Sequence, residues 1–326
     1  MSVDKGINAL YSWAVANGCR FNSSYIGTHP VYGGYGIFNS DPWSGDESDD
    51  DERTALFIPE SLIISIDLIS ETANEVDELA QALNALPSLP SLEPVITTFL
   101  LYQLHLQRAG KESKSSTYLE FLPKSPLLPI NWNDSEVALL QECNTSISGI
   151  VPAKFRFMKS IFTDLKESSS WFQSITWEDF VLAESWVASR SIRDPITDTP
   201  TLVPILDLVN HSASRNAAWE VTDEGIELRR EPVHIEAELA ISYDLDRGTG
   251  ERLYRYGFIE DTRPDACSKK ILLFGSIIPA VQGGHVYRIS LTSVNNAFQN
   301  LSFLTYENWY LHFIRQISWQ VSDTPD

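Results

Sequence analysis

The spacing of hydrophobic and polar residues predicts strands towards both ends of the chain and helices between them. The first helix is predicted from apolar residues that share one face, namely Ile7, Leu10, Ala14 and Tyr11. The pair Asn17-Gly18 that follows is typical of a helix C-terminus. A glycine-rich segment at residues 32–38 then predicts a turn that leads into a strand.

The middle third of the chain is predicted to be mainly helical. Apolar positions recur at helical spacing over residues 71–86. A Pro-Ser connector at residues 87–94 precedes a second apolar helix, which reaches Ala109-Gly110. Further helical patterns cover residues 132–141, 152–167 and 177–190.

Beyond Thr201 the pattern changes to short β-like runs divided by Gly, Pro and Asp turns, at residues 225–228, 239–243, 271–274 and 286–291. Aromatic residues on one face predict a core helix over residues 306–317. This order of elements favours an α+β fold over a doubly wound sheet. The early glycine turn also lacks the GxGxxG spacing of a dinucleotide fold.

Composition and charge limit the classes of partner. The 326 residues are 43% hydrophobic, as in folded globular proteins, and 24 basic against 44 acidic residues give a formal net charge of −20. Such a chain is a poor electrostatic partner for nucleic-acid phosphates or anionic lipid. We therefore expect no direct nucleic-acid or membrane partner, and residues 41–53 are interpreted as an exposed acidic loop.

Cysteine usage and hydropathy predict the compartment. The three cysteines form no CxxC pair and no even-numbered disulfide framework. No secretory signal pattern follows Met1, and the longest apolar run, residues 94–106, is shorter than the ~20 residues that span a bilayer. We expect a soluble protein of the cytoplasm, the nucleus or both.

One dense stretch carries most of the candidate chemistry. The GxSxG, HExxH, P-loop and zinc-ligand spacings are absent. Residues 202–212 instead join an apolar run to Asp207, Asn210, His211 and Ser212, and buried polar groups of this kind must be hydrogen-bonded. The segments Ile241-Ser242-Tyr243-Asp244-Leu245 and Tyr256-Gly257-Phe258 follow.

Together with earlier elements, these residues resemble the SET-domain methyltransferases, within them the class typified by the Rubisco large-subunit lysine methyltransferase. The resemblance is collinear up to about Asp261. Its other elements are Trp13-Ala14 with Asn17-Gly18, Gly34-Tyr35-Gly36-Ile37-Phe38, Phe57-Ile58-Pro59, Tyr118-Leu119 with Leu122-Pro123, and Trp186 with Ser189-Arg190. Each element alone has an ordinary structural explanation, and only their joint order favours the family.

The resemblance implies an α+β SET fold, in which short β-sheets surround a pseudoknot and a mainly helical insert interrupts them. Residues 1–70 are then the N-terminal part of the SET domain, and residues 71–185 are the insert. Residues 186–261 are the C-terminal part with the cofactor and catalytic motifs. Residues 262–326 form an abbreviated C-terminal region with a short helical extension.

The resemblance also implies S-adenosylmethionine as methyl donor, and no metal site is expected because the sequence has no zinc-ligand spacing. The residues implied to bind the cofactor are Gly34, Tyr35, Gly36, Arg190, Asn210, His211 and Tyr256. Small residues at the glycine turn let the backbone approach a ligand closely, and the Arg190 guanidinium suits the cofactor's carboxylate. Asn210 and His211 match the residues that hold the amino-acid and adenine ends, and Asp207 matches a structural position.

Aromatic residues are implied at the reaction centre. Tyr243 matches the catalytic tyrosine, and Tyr256 matches an aromatic wall between the cofactor and the target amine. Trp219, Tyr243 and Phe258 are expected to contact the substrate lysine.

The expected activity is methyl transfer from S-adenosylmethionine to a lysine of a protein substrate, with a basic protein favoured by the net charge of −20. Solubility explains the same charge equally well. Gly33 stands where better-known members carry a glutamate that reads the cofactor, Trp219 replaces a tyrosine, and the region after Asp261 is short. An alternative therefore stays open: a repurposed SET fold that binds the cofactor or a small molecule without methylating protein, as a secondary-metabolism catalyst or a pseudoenzyme.

Overall fold

The computed structural model describes residues 5–29, 34–40, 53–87, 91–111, 113–142, 149–231, 237–243, 249–258, 280–282 and 285–287. The chain divides into two compact units. The first, which we call the sheet unit, comprises Met1–Val76, Phe99–Pro123 and Arg190–Leu245. The second, the helical unit, comprises Asp77–Thr98, Lys124–Ser189 and Asp246–Asp326.

The elements follow one another along the chain in the order strand-rich, helical, strand-rich. The helices are α1 Lys5–Ala16, α2 Ile66–Glu75, α3 Asp77–Ala85, α4 Glu93–Arg108, α5 Ser116–Phe121, α6 Asp134–Glu142, α7 Ile150–Ser168, α8 Trp177–Arg190 and α9 Thr249–Tyr256. The strands are β1 Arg20–Phe21, β2 Ser24–Thr28, β3 Tyr35–Asn39, β4 Thr54–Pro59, β5 Ser191–Arg193, β6 Pro200–Leu202, β7 Asn210–His211, β8 Ala217–Thr222, β9 Gly225–Arg230, β10 Glu238–Ile241, β11 Ala280–Gln282 and β12 His285–Tyr287. This mixture confirms the α+β prediction.

The sheet unit is built on two four-stranded sheets, with the strand orders β1-β4-β9-β8 and β2-β3-β10-β7. In the second sheet β2, β3 and β10 pair antiparallel, whereas β10 and β7 pair in parallel, with Ala240 opposite Asn210 and Ile241 opposite His211. This pairing sets β3, β10 and β7 side by side although they are far apart in sequence.

One apolar core holds these sheets together with α1. Its members include Leu10 and Ala14 of α1, Ile37 of β3, Leu56 of β4 and Leu239 of β10, and each is at most 1% exposed. The predicted apolar run at residues 202–209 joins the same core through a set of buried side chains: Val203, Ile205, Leu206, Leu208 and Val209. Each buried aliphatic side chain stabilises the fold by about 1.5–3 kcal/mol, so the polar residues that follow this run are firmly anchored.

The helical unit contains aromatic and ionic contacts of its own. Phe162 of α7 packs edge-on against Phe172 and against Phe180 of α8, with ring centroids 5.6 Å apart in both pairs. Lys154 of α7 forms an ion pair with Glu184 of α8. Burial alone would lower the pKa of Lys154, but the Glu184 carboxylate raises it above its usual value.

Two local predictions were wrong. Residues 71–86 do not form one helix, because Val76 takes an extended conformation with φ −127° and ψ 96° that separates α2 from α3. Tyr11 does not share the buried face of α1: its side chain is 40% exposed and its ring contacts Phe21 at a centroid distance of 4.8 Å. A residue directly after Leu10 is rotated by about 100° around the helix axis, away from the core.

Other predictions lie close to the observed elements. Helices α6, α7 and α8 and strands β3, β9, β10 and β12 fall on the predicted segments within a few residues. The acidic loop up to Glu52, the run 271–274 and the helix 306–317 lie outside the described residues. Within the part of the chain that is described, no helix is long and apolar enough to cross a membrane. The four predicted domain segments remain a prediction.

Candidate functional site

Three strands of the second sheet bring polar groups together beside the glycine turn. Asn210, the first residue of β7, donates through Nδ2 to the carbonyl of Tyr35 in β3 at 3.0 Å. The same nitrogen donates to Oε1 of Glu238, the first residue of β10, at 2.6 Å. The Oε2 atom of Glu238 lies 3.3 Å from Nε2 of His29, which follows β2. We call His29, Asn210 and Glu238 the glutamate cluster.

The glutamate cluster is accessible to a ligand. The side chains of His29 and Glu238 are 19% and 17% exposed. Because neither is fully buried, the carboxylate can exchange a contact with solvent for a contact with a ligand at modest cost. The cluster therefore offers both an amide and a partly solvated negative charge.

The two glycines of the predicted turn differ in whether the structure leaves room for a side chain. Gly34 is exposed and a Cβ atom added there would meet nothing within 4 Å, although its carbonyl accepts the backbone N–H of His29 at 2.6 Å. Gly36 is buried in β3, and a Cβ atom there would overlap Oε1 of Glu238 and lie 3.1 Å from Nδ2 of Asn210. Only Gly36 is thus required for close packing, and Gly33 lies outside the described residues.

A second polar cluster surrounds Arg190, the last residue of α8. Its NH1 atom donates to Oδ2 of Asp207 at 2.9 Å and to the carbonyl of Asp207 at 3.0 Å. The hydroxyl of Tyr118 in α5 donates to the same Oδ2 atom at 2.8 Å. We call Tyr118, Arg190 and Asp207 the arginine cluster. The Asp207 side chain is 1% exposed, so the structural role predicted for it agrees with its position.

Burial and charge set the protonation of the arginine cluster. Burial alone would lower the pKa of Arg190, but the neighbouring Asp207 carboxylate raises it above its usual value. Burial, followed by the charge of Asp207, raises the pKa of Tyr118 well above 10. Arg190 is therefore a fixed cation, and Tyr118 is a neutral hydrogen-bond donor.

The arginine cluster contains hydrogen-bonding atoms that could bind a further partner. Nε of Arg190 and Oδ1 of Asp207 are buried and have no hydrogen-bond partner among the described residues. The Arg190 side chain is 21% exposed and its Nε–H is unused, so the guanidinium retains a donor for an anion. A planar fork of this kind suits a carboxylate.

A strained turn links the two clusters. Ile205 has φ 76° and ψ −46°, a conformation that costs a β-branched residue about 1–3 kcal/mol, and it starts the short 3-10 turn Leu206–Leu208. This turn carries Asp207 into the arginine cluster, and Asn210 of the glutamate cluster follows three residues later. The buried neighbours of Ile205 hold the strained backbone in place.

Tyr243 and His211 lie next to this turn. The Tyr243 hydroxyl donates to the carbonyl of Val209 at 2.8 Å, and the Tyr243 backbone N–H donates to Nδ1 of His211 at 3.1 Å. A neutral His211 ring therefore carries its proton on Nε2. Because the Tyr243 hydroxyl has already donated its hydrogen, its oxygen can act towards a ligand only as an acceptor.

The remaining predicted site residues are distributed over both units. Trp219 lies in β8 of the sheet unit and packs, half-buried, against the core. Tyr256 and Phe258 belong to the helical unit, where their rings stack with centroids 6.0 Å apart. Their expected roles towards cofactor and lysine stay predictions. Within the described residues no group of three His, Cys, Asp or Glu side chains is placed to hold a metal ion.

Cys19 does not belong to the candidate chemistry. Its side chain is 3% exposed and unbridged, and burial raises the pKa of its thiol to about 12. A thiol of such a high pKa stays neutral near pH 7, so Cys19 acts as a core residue and not as a nucleophile.

Sequence reasoning missed Glu238, His29 and the bond of Tyr118 to Asp207. Glu238 opens a strand in which Leu239, Ala240 and Ile241 are buried, so by sequence it looks like an ordinary polar strand end. Its significance comes from pairing with β3 and β7, which no local pattern reveals.

Known proteins share this architecture. The SET domain of the methyltransferase LSMT, solved with lysine and AdoHcy, superposes with a TM-score of 0.64 at 21% identity, covering 80% of this chain and 58% of that chain. The chain has the SET fold. The resemblance found in the sequence is confirmed, although no protein-family model matches the chain.

Curated relatives of the SET fold agree with this result. The chain is 32% identical over 213 residues to SET domain-containing protein 8 of Schizosaccharomyces pombe, covering 64% of this chain and 49% of the relative. It is 26% identical over 229 residues to the ribulose-1,5 bisphosphate carboxylase/oxygenase large subunit N-methyltransferase of Nicotiana tabacum, covering 64% of this chain and 43% of the relative. The chain thus spans about half the length of the curated relatives it matches.

Proposed function

We propose that the protein is an S-adenosylmethionine-dependent methyltransferase that acts on lysine side chains of a protein substrate. The observation that carries this proposal is the strained turn, which joins Arg190, Asn210, His211 and Tyr243 within one SET fold. Relatives of this chain are named as lysine or large-subunit N-methyltransferases, and a solved neighbour of the same fold holds lysine and AdoHcy.

The residues present fit the amino-acid end of S-adenosylmethionine. That end carries a carboxylate and an ammonium group, and the sheet unit offers the Arg190 guanidinium, whose Nε–H is unused, and a polar site at Asn210. Gly36 leaves the space in which the Glu238 carboxylate and the Asn210 amide meet, so the backbone of β3 runs close to these polar groups. His211, with its proton on Nε2, can donate to a ring nitrogen of the adenine.

The chemical step requires positioning more than acid or base catalysis. When bound, the cofactor supplies an electrophilic methyl group on a sulfonium. Tyr243 holds its hydroxyl against the Val209 carbonyl, so its oxygen can accept contacts from the methyl or the amine and fix their alignment. A rigid arrangement of this kind supplies much of the rate of an in-line transfer.

The target lysine must be neutral to react. A free lysine has a pKa of about 10.4, so deprotonation near pH 8 costs about 3 kcal/mol. Desolvation in an apolar channel and a nearby positive charge both lower that cost. Trp219 is our candidate for a wall of this channel, and the net charge of −20 favours a basic protein as substrate.

The test is a methyl-transfer assay with methyl-labelled S-adenosylmethionine on a panel of purified basic proteins, with methyl-lysine identified by mass spectrometry. We expect Tyr243→Phe to lower transfer by about 100-fold or more, because alignment is lost. Calorimetry should find its affinity for S-adenosylhomocysteine within about twofold of the wild type, since the ring and the backbone N–H remain. Tyr25→Phe is the matched control, because Tyr25 is 45% exposed on β2.

Two results would count against this proposal. Equal loss of transfer and of cofactor affinity in Tyr243→Phe would mean that the tyrosine shapes the cofactor site and is not catalytic. Tight cofactor binding by the wild type without transfer to any acceptor would favour a cofactor-binding protein that has lost the reaction.

A further inference from the structure

Glu238 is the first residue of β10, an inner strand of the second sheet that lies between β3 and β7. Its Oε1 atom accepts a 2.6 Å hydrogen bond from Asn210, and its Oε2 atom lies 3.3 Å from His29. Each oxygen is therefore oriented by one neighbour and retains an unused lone pair. The side chain is 17% exposed, so it is not closed off from solvent.

The backbone of β3 is adapted to this carboxylate. A side chain on Gly36 would overlap Oε1 of Glu238, so the glycine reserves the space in which the carboxylate and the Asn210 amide meet. The Tyr35 carbonyl next to it accepts the same Asn210 amide at 3.0 Å. The position of the Glu238 carboxylate is thus set from two strands and is not a chance orientation of a surface residue.

The chemistry of an amino-acid ligand requires such a group. A zwitterion carries a carboxylate and an ammonium group, and the arginine cluster supplies a cation for the first. We propose that Glu238 binds the α-ammonium group of the cofactor's amino-acid moiety, so that Arg190 and Glu238 together recognise the zwitterion.

This assignment rests on the proposed use of S-adenosylmethionine. It extends that function by naming the anionic contact, which neither the sequence nor the resemblance identified. An ionised acceptor forms hydrogen bonds that are about twice as strong as neutral ones, so the charge of Glu238, and not merely its oxygen atoms, should matter for affinity.

The experiment compares two ligands that differ only in the amino-acid part. S-adenosylhomocysteine carries the ammonium group, and 5′-methylthioadenosine lacks the amino acid. Calorimetric titration of Glu238→Gln should show affinity for S-adenosylhomocysteine about tenfold or more below the wild type. Affinity for 5′-methylthioadenosine should stay within about twofold, because the nucleoside contacts are unchanged.

A control variant separates ligand binding from a general effect of charge. Glu220→Gln, on the strand β8, removes one acidic group that pairs with Arg229, and should leave both affinities unchanged. If Glu238→Gln fails to fold, Glu238→Asp retracts the carboxylate while keeping its charge, and the same selective loss is expected.

The assignment is overturned if Glu238→Gln binds S-adenosylhomocysteine as tightly as the wild type. Equal weakening for both ligands would also overturn it, because Glu238 would then act by shaping the site. Absence of S-adenosylhomocysteine binding by the folded wild type would instead refute the proposed function itself. That failure is recognised in the wild type, before any variant is considered.

Discussion

The arginine cluster and the glutamate cluster combine similar groups in different surroundings. In the arginine cluster the Asp207 side chain is 1% exposed, whereas in the glutamate cluster the Glu238 side chain is 17% exposed. The Oδ2 atom of Asp207 accepts hydrogen bonds from both Arg190 and Tyr118. In Glu238, Oε1 contacts Asn210 and Oε2 contacts His29. We infer that the Asp207 carboxylate holds Arg190 in place, whereas the Glu238 carboxylate is available to bind a ligand.

The two clusters should differ most in how much each contributes to the free energy of unfolding. We expect Asp207→Asn to lower the free energy of unfolding by about 3 kcal/mol, because it leaves the Arg190 charge without its buried counterion. The value is at the lower end of the range for buried pairs, since Arg190 keeps 21% exposure. Urea denaturation measures it.

A surface pair provides the matched control. Asp198, whose side chain is 81% exposed, pairs with Arg193, and Asp198→Asn should change the free energy of unfolding by less than about 0.5 kcal/mol. Equal effects of the two substitutions would show that the arginine cluster is not a buried network.

The Tyr118 hydroxyl should make a smaller, pH-dependent contribution. Tyr118→Phe removes the donor to Asp207, which should cost about 1–2 kcal/mol at neutral pH. Burial raises the pKa of Tyr118 above 10 in the folded state, so above pH ~10 only the unfolded wild type ionises this tyrosine. The stability gap between wild type and Tyr118→Phe should therefore narrow, by up to about 1.4 kcal/mol per pH unit.

Unfolding curves of both proteins between pH 7 and about 11 measure this gap. Tyr25→Phe, at an exposed position, should show no such trend. A gap that widens with pH would mean that Tyr118 ionises more easily in the folded protein than in the unfolded chain.

The glutamate cluster should contribute least to stability. Its His29–Glu238 pair is partly exposed, so Glu238→Gln should change the free energy of unfolding by less than about 1 kcal/mol. Thermal unfolding of the variants used for titration checks this value. A loss as large as that of Asp207→Asn would remove the contrast between the two clusters.

The parts of the fold that could be predicted from sequence are those with local causes. Helix α8 follows its apolar spacing, and the apolar run before Asp207 is buried as its composition indicates. The break at Val76 was missed because helical spacing continues across it, while the backbone there is extended.

The candidate site shows the same limit. The ordered motifs pointed to Arg190, Asn210 and Tyr243, but not to the atoms they contact. Asn210 meets Tyr35 across 175 residues of sequence, and Tyr118 meets Asp207 across 89. Contacts at such separations follow from strand pairing and packing, so Glu238 could be recognised only in the folded chain.

We propose that this SET fold binds the amino-acid end of S-adenosylmethionine through Arg190 and Asn210. Calorimetric titration of S-adenosylmethionine and S-adenosylhomocysteine into the wild type, Arg190→Ala and Asn210→Ala tests it most directly, with circular dichroism to confirm that each variant is folded. We expect micromolar binding by the wild type and loss of binding in both variants. No binding by the folded wild type at millimolar cofactor, or unchanged affinity in both folded variants, would contradict it.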